Sequence, residues 1–458
     1  MKQLLKSLGN GLILAMILSL FMLGIVTIAV QFPSVQTFLV RKASDYFSEK
    51  LQHPISIGRV NIKWFDVISL QQVSVRDGRN EHMIEVERLD VDFDVLGLTG
   101  RKRPGVFLDE VLLFKPDVNI QKNIVTGELN IDEFIASIAA LTQKKDTTNK
   151  KRNIFGIGKA QIVDGIFHFG DKRVPPVADP LVFDFKNFTL DNLQSELLDF
   201  SLSGDTVTFQ AVGMTASDRH TGLTIDKLDT RFSFCRKAMV LADLDVLAGS
   251  SHIRNYLAFR YDHPSSFNDL NNKVEIEARF ADSKIHSDDI GYFAKYLFSL
   301  DETWQVTGNF KGKVTDFTLS NLNMRFGEQS VLKGEFTFRG LPEFRTTGMF
   351  FKLQDSYIYP RDLVQYHPPA GFHKTLQKFG NIRANAIYAG SIADFTVKGQ
   401  FHTDIGYLDT DLVFHARESH NTTYKGYLKT QNLDLGIVLD NTEAFQKLDF
   451  AGNIDGIG

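Results

Sequence analysis

The sequence has a single cysteine, few prolines and no excess of basic residues. One cysteine, Cys235, forms no intrachain disulfide and excludes a cysteine-rich metal site. Twelve prolines in 458 residues are about half the usual frequency of ~5%. Lys and Arg number 51 against 55 Asp and Glu, a net charge of −4. A nucleic-acid-binding protein usually carries a basic excess, so that class is disfavoured.

Phenylalanine is the residue type that the sequence has in excess, with 39 Phe against 12 Tyr and 2 Trp. The overall mixture is 43% hydrophobic and 23% charged, which is ordinary for a globular protein and excludes wholesale disorder or a collagen-like chain. Phenylalanine is enriched in strands and proline is depleted there. The composition therefore predicts many strands with an apolar face.

A long uncharged segment lies near the amino terminus. Residues 11–32 form a mostly apolar run of 22 residues, long enough as a helix to cross a ~30 Å hydrocarbon core. Lys2 and Lys6 precede it, so the positive-inside rule predicts that residues 1–10 are a cytoplasmic tail and that the rest lies beyond the membrane. A cleaved signal peptide is the less favoured alternative, because its apolar region is usually shorter.

The spacing of apolar residues changes at about residue 54. From Val35 to Leu51 they recur every three or four positions, which predicts an amphipathic helix with Ser34 as its N-cap. Later they recur every second position, which predicts strands, and a slip in this alternation at Gly58 predicts a bulge. Residues 132–141 are predicted to form a short helix.

Residues 142–153 (TQKKDTTNKKRN) contain five basic residues and one acidic residue but no apolar side chain. This composition predicts a flexible linker or loop, with a basic patch for anionic lipid as the less favoured alternative. Strand-like alternation then continues to the end of the chain. One helical interruption is predicted at residues 288–300, with Ser287 as its cap.

The carboxy-terminal third of the chain repeats itself. Residues 314–318 (VTDFT) recur as residues 392–396 (IADFT), and residues 308–312 (GNFKG) return as residues 452–456 (GNIDG). Such self-similarity predicts stacked supersecondary units. The predicted units are residues 302–379, residues 380–449 and the start of a further unit at residues 450–458. Because a terminal repeat usually presents a polar cap, we expect the sequence to be the amino-terminal part of a longer protein.

Glycine shares the apolar alternation of these strands, for example Gly308 and Gly312 with Phe310. Small residues at such positions let a sheet bend tightly or let another apolar body approach closely. From the residues alone, two interpretations remain open: an apolar groove, and a closed β-core that is filled by its own side chains.

Loop motifs of nucleotide-binding enzymes are not found. Residues 308–314 resemble a phosphate-binding loop, but their glycine spacing is one residue short and Val314 replaces Ser or Thr. Residues 156–158 (GIG) lack the third glycine of a dinucleotide-binding loop. The sequence also lacks the G-x-S-x-G and H-E-x-x-H motifs. We therefore predict that the chain is not an enzyme and needs no cofactor.

Isolated reactive side chains have simpler explanations. His415 and His420 would point to opposite faces of a strand, so a zinc pair is disfavoured. Asp288 and Asp289 are better explained as partners of a helix dipole than as paired carboxylates. Cys235 is best explained as a small buried apolar residue. No metal site is predicted.

Several segments, in a fixed order along the chain, carry a resemblance to a known family. After the apolar segment these are residues 32–36 (FPSVQ), 55–65 (ISIGRVNIKWF), 70–77 (LQQVSVRD), 114–120 (FKPDVNI), 127–130 (GELN) and 162–167 (IVDGIF). Together they resemble the AsmA-like superfamily, and most closely its TamB (translocation and assembly module) branch. The resemblance is strongest over residues 1–135 and repeat-like afterwards. The carboxy-terminal domain of full TamB proteins has no counterpart here.

The resemblance implies a mainly β fold: one amino-terminal transmembrane helix, then an elongated, curved antiparallel β-sheet groove of repeating units with a few short helices. Residues 33–141 would be the family's amino-terminal helix and strands, and residues 154–301 a first groove segment. It also implies a single-pass protein of the bacterial inner membrane, with its amino terminus in the cytoplasm and most of the chain in the periplasm.

The implied function is a bridge that carries phospholipid acyl chains between the inner and outer membranes in outer-membrane biogenesis. The alternative is a non-enzymatic scaffold for outer-membrane protein translocation and assembly, with an Omp85-type partner. A periplasmic hydrolase is a third, weaker hypothesis for which the sequence offers no site. The residues expected to line a lipid groove are Phe310, Phe336, Phe338, Phe350, Tyr388, Phe401 and Phe414.

Overall fold

The computed structural model describes residues 21–22, 32–63, 67–92, 106–142, 155–343, 345–367, 370–416 and 422–457. The predicted cytoplasmic tail, the linker after Thr142 and nearly all of the predicted transmembrane segment lie outside these residues. Among the residues described, no helix is both long enough and apolar enough to cross a bilayer.

The chain divides into two compact units, which are described separately. Unit 1 comprises Met1–Pro176 and Phe185–Gly204, and unit 2 comprises Val177–Asp184 and Asp205–Gly458. The described residues contain twenty strands and only a few, mostly short, helices. The prediction of a mainly β protein is therefore confirmed.

Among the residues described, unit 1 has two bounded helices and six strands. β1 to β4 pair in order as antiparallel neighbours, β5 runs parallel to β4, and β6 is antiparallel to β5. A parallel pair needs a crossover connection, and α2 lies in it. β5 follows the predicted linker and pairs with β4 nonetheless. The elements are α1 (Pro33–Leu51), β1 (Ile55–Lys63), β2 (Val67–Arg76), β3 (His82–Asp92), β4 (Val106–Lys122), α2 (Asn130–Thr142), β5 (Phe155–Asp171) and β6 (Asn187–Ser203).

Helix α1 begins two residues earlier than the sequence predicted. Its N-cap is Phe32 rather than Ser34, with extended backbone and no side-chain cap. The physical reason is Pro33, because proline favours the first helical position and holds the residue before it in an extended conformation. The helix ends at Leu51, and α2 lies where a short helix was predicted.

The predicted bulge at Gly58 is wrong. Pairing of β1 with β2 keeps one register from Ile55↔Val75 to Lys63↔Val67, so no residue is inserted. Instead Gln72, the nearest side chain to Gly58, takes a left-handed conformation with φ of 52°. The alternation of side chains between the two faces therefore changes at the same level in β1 and β2, and the pairing register is preserved.

Aliphatic residues meet across the strands of unit 1. Val73 of β2 pairs with Ile57 of β1 and with Val86 of β3, and Leu89 of β3 pairs with Leu113 of β4. Residues directly opposite one another share a face of the sheet. The two residues of each pair therefore pack side by side, and Val86 is 4% exposed.

The described residues of unit 2 form fourteen strands, β7 to β20, and each pairs antiparallel with the next. Its strands are β7 (Thr206–Asp218), β8 (Thr224–Cys235), β9 (Ala238–Ala248), β10 (Ser251–Arg260), β11 (Glu275–His286), β12 (Thr303–Lys313), β13 (Asp316–Phe326), β14 (Ser330–Arg339), β15 (Gly348–Ile358), β16 (Ile382–Gly390), β17 (Asp394–Thr403), β18 (Gly406–Ala416), β19 (Thr422–Asp434) and β20 (Lys447–Ile457).

The helices of unit 2 lie in four of its strand connections, after β10, β11, β15 and β19. The α-helices are α3 (Leu270–Lys273), α4 (Ser287–Gly291), α5 (Ala370–Phe379) and α6 (Leu435–Val438), and 3-10 turns lie at Pro264–Asp269, Lys295–Ser299 and Pro360–Tyr366.

The continuous helix predicted at residues 288–300 is wrong. The chain forms only α4 and the 3-10 turn at Lys295–Ser299, because Ala294 between them has φ of −148° and ψ of 87°. His286, not Ser287, caps α4 by accepting a hydrogen bond from the Asp288 backbone N–H. Ser287 has another role, since its hydroxyl oxygen accepts a hydrogen bond of 3.0 Å from Glu302 at the start of β12.

The repeat is visible in the strands. The hairpin of β12 and β13 corresponds to the hairpin of β16 and β17, and Gly312 and Gly390 lie near the end of the first strand of each with the same φ of 136°. Phe317 pairs with Gly312, and Phe395 pairs with Gly390 in the same way. Matching sequence segments therefore form matching local structure.

The most buried cluster of unit 2 lies on one face of these strands. Val306, Leu322 and Phe336 are 8%, 5% and 7% exposed and belong to β12, β13 and β14. Trp304 and Phe351 pack against this cluster.

Candidate functional site

Strands β12 to β19 have one apolar face and one polar face. Side chains alternate across a strand, and residues paired across strands share a face. The register therefore places Phe336 on the same face as Phe351, and Phe395 on the same face as Phe414. We refer to this side of β12 to β19 as the apolar face.

One aromatic ring from each of these eight strands forms a continuous row on the apolar face. Adjacent ring centroids are 4.7 to 6.4 Å apart, which lies within the range of favourable aromatic pairs. All eight rings are half-buried. This aromatic row consists of Phe310, Phe317, Phe338, Phe351, Tyr388, Phe395, Phe414 and Tyr424.

Six of the seven residues proposed from the sequence lie on the apolar face, and four of them belong to the aromatic row. The four are Phe310, Phe338, Tyr388 and Phe414. Phe336 lies beside the row, 5.3 Å from Phe351, and is more buried. Phe401 pairs with Ala384 near the other end of β17, so it shares the face but not the row.

Phe350 lies on the opposite, polar face, where it is 39% exposed. It pairs with Thr337, whereas its neighbour Phe351 pairs with Phe336 and occupies the row. A sequence signal for this choice exists, because Met349 and Leu353 flank Phe351 at two-residue spacing and make it part of the apolar alternation. Phe351 is thus the residue of β15 that faces the candidate site.

Three further members of the row were not named from the sequence: Phe317, Phe395 and Tyr424. Phe317 and Phe395 occupy matching positions of the repeat, in the segments TDFT and ADFT. That match was the signal that could have identified both. Tyr424 carries no such mark and is placed by its pairing opposite Gly456 of β20.

Glycine makes room for the row where rings cross from one strand to the next. A Cβ on Gly390 would lie 2.2 Å from the Asp394 carbonyl oxygen and 2.6 Å from the Phe395 Cα. A Cβ on Gly456 would lie 2.5 Å from the Tyr424 ring. The strands therefore approach closely because these positions lack a side chain.

The polar face carries ion pairs between adjacent strands. Lys398 Nζ is 2.7 Å from Asp411, Lys425 Nζ is 3.1 Å from Asp455, and His415 Nδ1 is 2.7 Å from Asp394. These side chains are mostly more than half exposed, so they keep this face hydrated and contribute little to stability.

The single hydroxyl in the middle of the row is satisfied internally. The Tyr388 hydroxyl donates a hydrogen bond of 2.8 Å to the Ser391 carbonyl oxygen. Burial raises the pKa of Tyr388 above its usual value, so the phenol stays neutral at physiological pH. The row is therefore an uncharged surface throughout.

Two buried carboxylates close one end of strands β12 to β14. Asp362 accepts hydrogen bonds of 2.9 to 3.0 Å from the backbone N–H groups of the turn at residues 328–330. Burial alone would raise the pKa of Asp362, but these hydrogen bonds outweigh it and lower the pKa. Glu302 likewise accepts hydrogen bonds from the Gly327 N–H and the Tyr366 hydroxyl. Their partners are structural, so we assign this pair to anchoring the 3-10 turn at Pro360–Tyr366.

Reactive residues singled out from the sequence lie apart from one another. Residues 308–312 belong to β12, and residues 156–158 to β5, so neither forms a phosphate-binding loop. Asp289 accepts hydrogen bonds from Ser250 and Ser251. His420 lies outside the described residues. Across the part of the chain that the structure covers, no group of three or more His, Cys, Asp or Glu is arranged to hold a metal ion.

No family model, curated protein or solved structure matches the chain. The resemblance to the AsmA-like superfamily therefore depends on the sequence segments themselves.

Proposed function

We propose that this chain is an inner-membrane-anchored, AsmA/TamB-like protein whose apolar face forms a groove for phospholipid acyl chains. The bulk of the chain would lie in the periplasm and serve transport between the inner and outer membranes. The observation that supports this most is the aromatic row, in which every strand from β12 to β19 adds one ring without interruption.

An acyl chain gains free energy by leaving water for such a surface. Each buried methylene contributes about 0.8 kcal/mol, and dispersion contacts with aromatic rings are not directional. A row that is apolar at every strand therefore holds a chain equally well at successive positions. That property suits movement along the row, from one strand to the next, better than tight binding at one place.

The polar atoms of this surface also bear on the kind of ligand it would hold. Backbone N–H and C=O groups are used in the pairing between strands, and the Tyr388 hydroxyl has its own partner. The apolar face of β12 to β19 thus offers a ligand few unsatisfied polar atoms. A ligand with long hydrocarbon chains fits this surface, whereas a polar metabolite does not.

The adjacent residues Phe350 and Phe351 provide a matched test, because they are the same residue type on opposite faces of β15. A photoreactive phenylalanine analogue would be placed at each position in turn in the full chain and irradiated in living cells. We expect phospholipid adducts from position 351 and few or none from position 350.

Two outcomes would contradict this proposal. Equal lipid labelling from positions 350 and 351 would mean that the face has no selectivity for lipid. Protein adducts without lipid adducts from position 351 would favour the alternative, a scaffold for outer-membrane protein assembly with an Omp85-type partner. Labelling at Phe395, a second position in the row, would repeat the test in the next repeat.

A further inference from the structure

Helix α1 exposes aromatic and basic side chains on the side that unit 1 does not cover. Phe38 and Tyr46 are 59% and 56% exposed, although both are large apolar rings. On the other side the helix is held to β1, where the Ile55 N–H donates a hydrogen bond of 2.8 Å to Ser48 Oγ, and Leu51 is buried. The exposed rings therefore belong to a fixed helix and not to a frayed end.

The exposed residues lie along a single stripe. Phe38, Lys42 and Tyr46 are spaced by four residues, which places them on one helix face, and Arg41 lies beside Lys42. Arg41 and Lys42 are exposed, and neither forms an ion pair with any residue that the structure describes. The two basic side chains therefore lie between the exposed rings of Phe38 and Tyr46, and no described residue forms an ion pair with either of them.

The charge of the stripe changes sign along the helix. Arg41 and Lys42 lie in its first half, whereas Asp45 and Glu49 lie on the same side in its second half. A partner with negative charge would therefore be attracted to the amino-terminal half and repelled by the carboxy-terminal half. This distribution of charge favours contact between a negatively charged surface and the amino-terminal half of the helix.

The chain before the helix indicates what that surface is. The uncharged run of residues 11–32 ends at Phe32, which is 57% exposed, and Pro33 begins the helix at once. Six residues at 1.5 Å each place Phe38 roughly 9 Å along the helix from this run. Aromatic rings and basic side chains at this distance from an apolar segment are typical of the bilayer interface.

We propose that the first half of α1 rests on the surface of the bilayer that holds the predicted anchor. Phe32 and Phe38 would lie at the level of the head groups, Arg41 and Lys42 would contact lipid phosphates, and the acidic second half would lead away from the surface. This inference depends on the membrane anchoring in the proposed function but not on lipid transport along the aromatic row.

Depth-dependent quenching in the full chain tests the proposal. Cys235→Ser removes the native thiol, and single substitutions Phe38→Cys, Glu49→Cys and Val125→Cys then carry an environment-sensitive fluorophore. Val125 is the control, because it is an exposed apolar residue of unit 1 (90%) in the turn before α2. The protein would be reconstituted into phosphatidylcholine and phosphatidylglycerol vesicles that contain nitroxide-labelled lipid.

We expect quenching at position 38 to be several-fold stronger than at position 125, with position 49 close to the control. Arg41→Gln with Lys42→Gln should reduce quenching at position 38, and high salt should do so only when both cations are present. Equal quenching at positions 38 and 125 would overturn the proposal. Fluorescence transfer between labelled copies without lipid quenching would also overturn it, in favour of an antiparallel pairing of two α1 helices.

Flotation separates this inference from the anchoring on which it depends. Protein that does not float with the vesicles after an alkaline wash would contradict the anchor itself. Protein that floats but shows equal quenching would contradict only the placement of α1. Neither result depends on whether lipid is crosslinked at position 351.

Discussion

Unit 1 and the repeating strands of unit 2 accommodate irregular backbone with different residues. In unit 1, strands β2, β4, β5 and β6 each contain at least one residue with a side chain at a φ of about 50°, for example Asp164 and Asn192. Strands β12 to β19 add glycines at a φ of 136° to 154°, among them Gly312, Gly390 and Gly426. Aspartate and asparagine tolerate the first conformation, but only glycine readily adopts the second.

The difference follows from what the two apolar faces must hold. Aliphatic pairs such as Leu89 with Leu113 fit between ordinary strands in unit 1. A row of rings that runs from strand to strand requires the strand backbones to lie closer together, and Gly390 permits this beside Phe395. Rings that pack beside a strand glycine also shield its backbone from water. The aromatic row therefore depends on the glycines that recur beside it.

The largest expected effect comes from filling one of these glycine positions. Gly390→Val would force a side chain into a φ of 136° and against backbone atoms at 2.2 and 2.6 Å. We expect the free energy of unfolding of unit 2 to fall by about 4 kcal/mol or more. Hydrogen exchange of peptides from β16 and β17 in urea would measure the loss.

Gly170→Val in β5 is the matched control in unit 1. Its nearest atom to a new Cβ is 3.8 Å away and its φ is ordinary, so valine should be neutral or slightly stabilising in a strand. Similar losses for both variants would mean that close approach is not special to the repeating strands.

The second effect concerns the buried charge cluster of unit 1, which the repeating strands lack in this form. Asp171 is 1% exposed, accepts hydrogen bonds of 2.7 and 2.8 Å from the Arg173 guanidinium, and lies 3.6 Å from Lys122 Nζ. Asp171→Asn leaves both cations without their shared partner. We expect a loss of about 3 kcal/mol in the unfolding of unit 1.

This contribution should depend on pH in a definite direction. Hydrogen bonds from Arg173 hold the pKa of Asp171 at about 2, below the 3.8 of an unperturbed aspartate. The stabilisation is therefore complete above the unfolded pKa and is lost as pH falls from about 4 to 2. The free energy of opening of β5, taken from hydrogen exchange corrected for the intrinsic rate at each pH, should fall over this range in the wild type, and Asp171→Asn should flatten the fall. The exposed Asp199→Asn should leave it unchanged.

A smaller effect is expected from stacking within the aromatic row. Phe395 and Phe414 are paired, with ring centroids 4.9 Å apart. A double-mutant cycle to alanine should give a coupling free energy of about 1 kcal/mol. The same cycle for Leu89 and Leu113 in unit 1 should give about 0.5 kcal/mol or less. Equal couplings in urea titrations would remove the energetic distinction between the two faces.

The smallest effect is expected on the polar face. The ion pair of Lys398 with Asp411 is well exposed, so water screens it. Lys398→Gln should leave the urea midpoint of unit 2 unchanged within error at both low and high salt. A clear shift would mean that the polar face contributes to stability, against the contrast drawn here.

Much of the fold follows from local sequence pattern. Helix α2 lies where the spacing of apolar residues by three and four positions predicted it. The two repeated hairpins lie where the segments VTDFT and IADFT match. The helix predicted at residues 288–300 is broken at Ala294, and Ser287, its predicted cap, is hydrogen-bonded to the distant Glu302 instead. Hydrophobic spacing carries no information on such distant partners.

The sequence by itself determined that the chain is mainly β, that its carboxy-terminal third repeats, and that rings and glycines share one alternation. Only the tertiary structure decided which rings meet. Alternation sends the adjacent Phe350 and Phe351 to opposite faces, but only the pairing of β14 with β15 places Phe351 opposite Phe336. A shift of one residue exchanges the faces of a strand, and irregularities such as that at Asp355 change the register within it. The row therefore depends on pairing between strands and not on any strand alone.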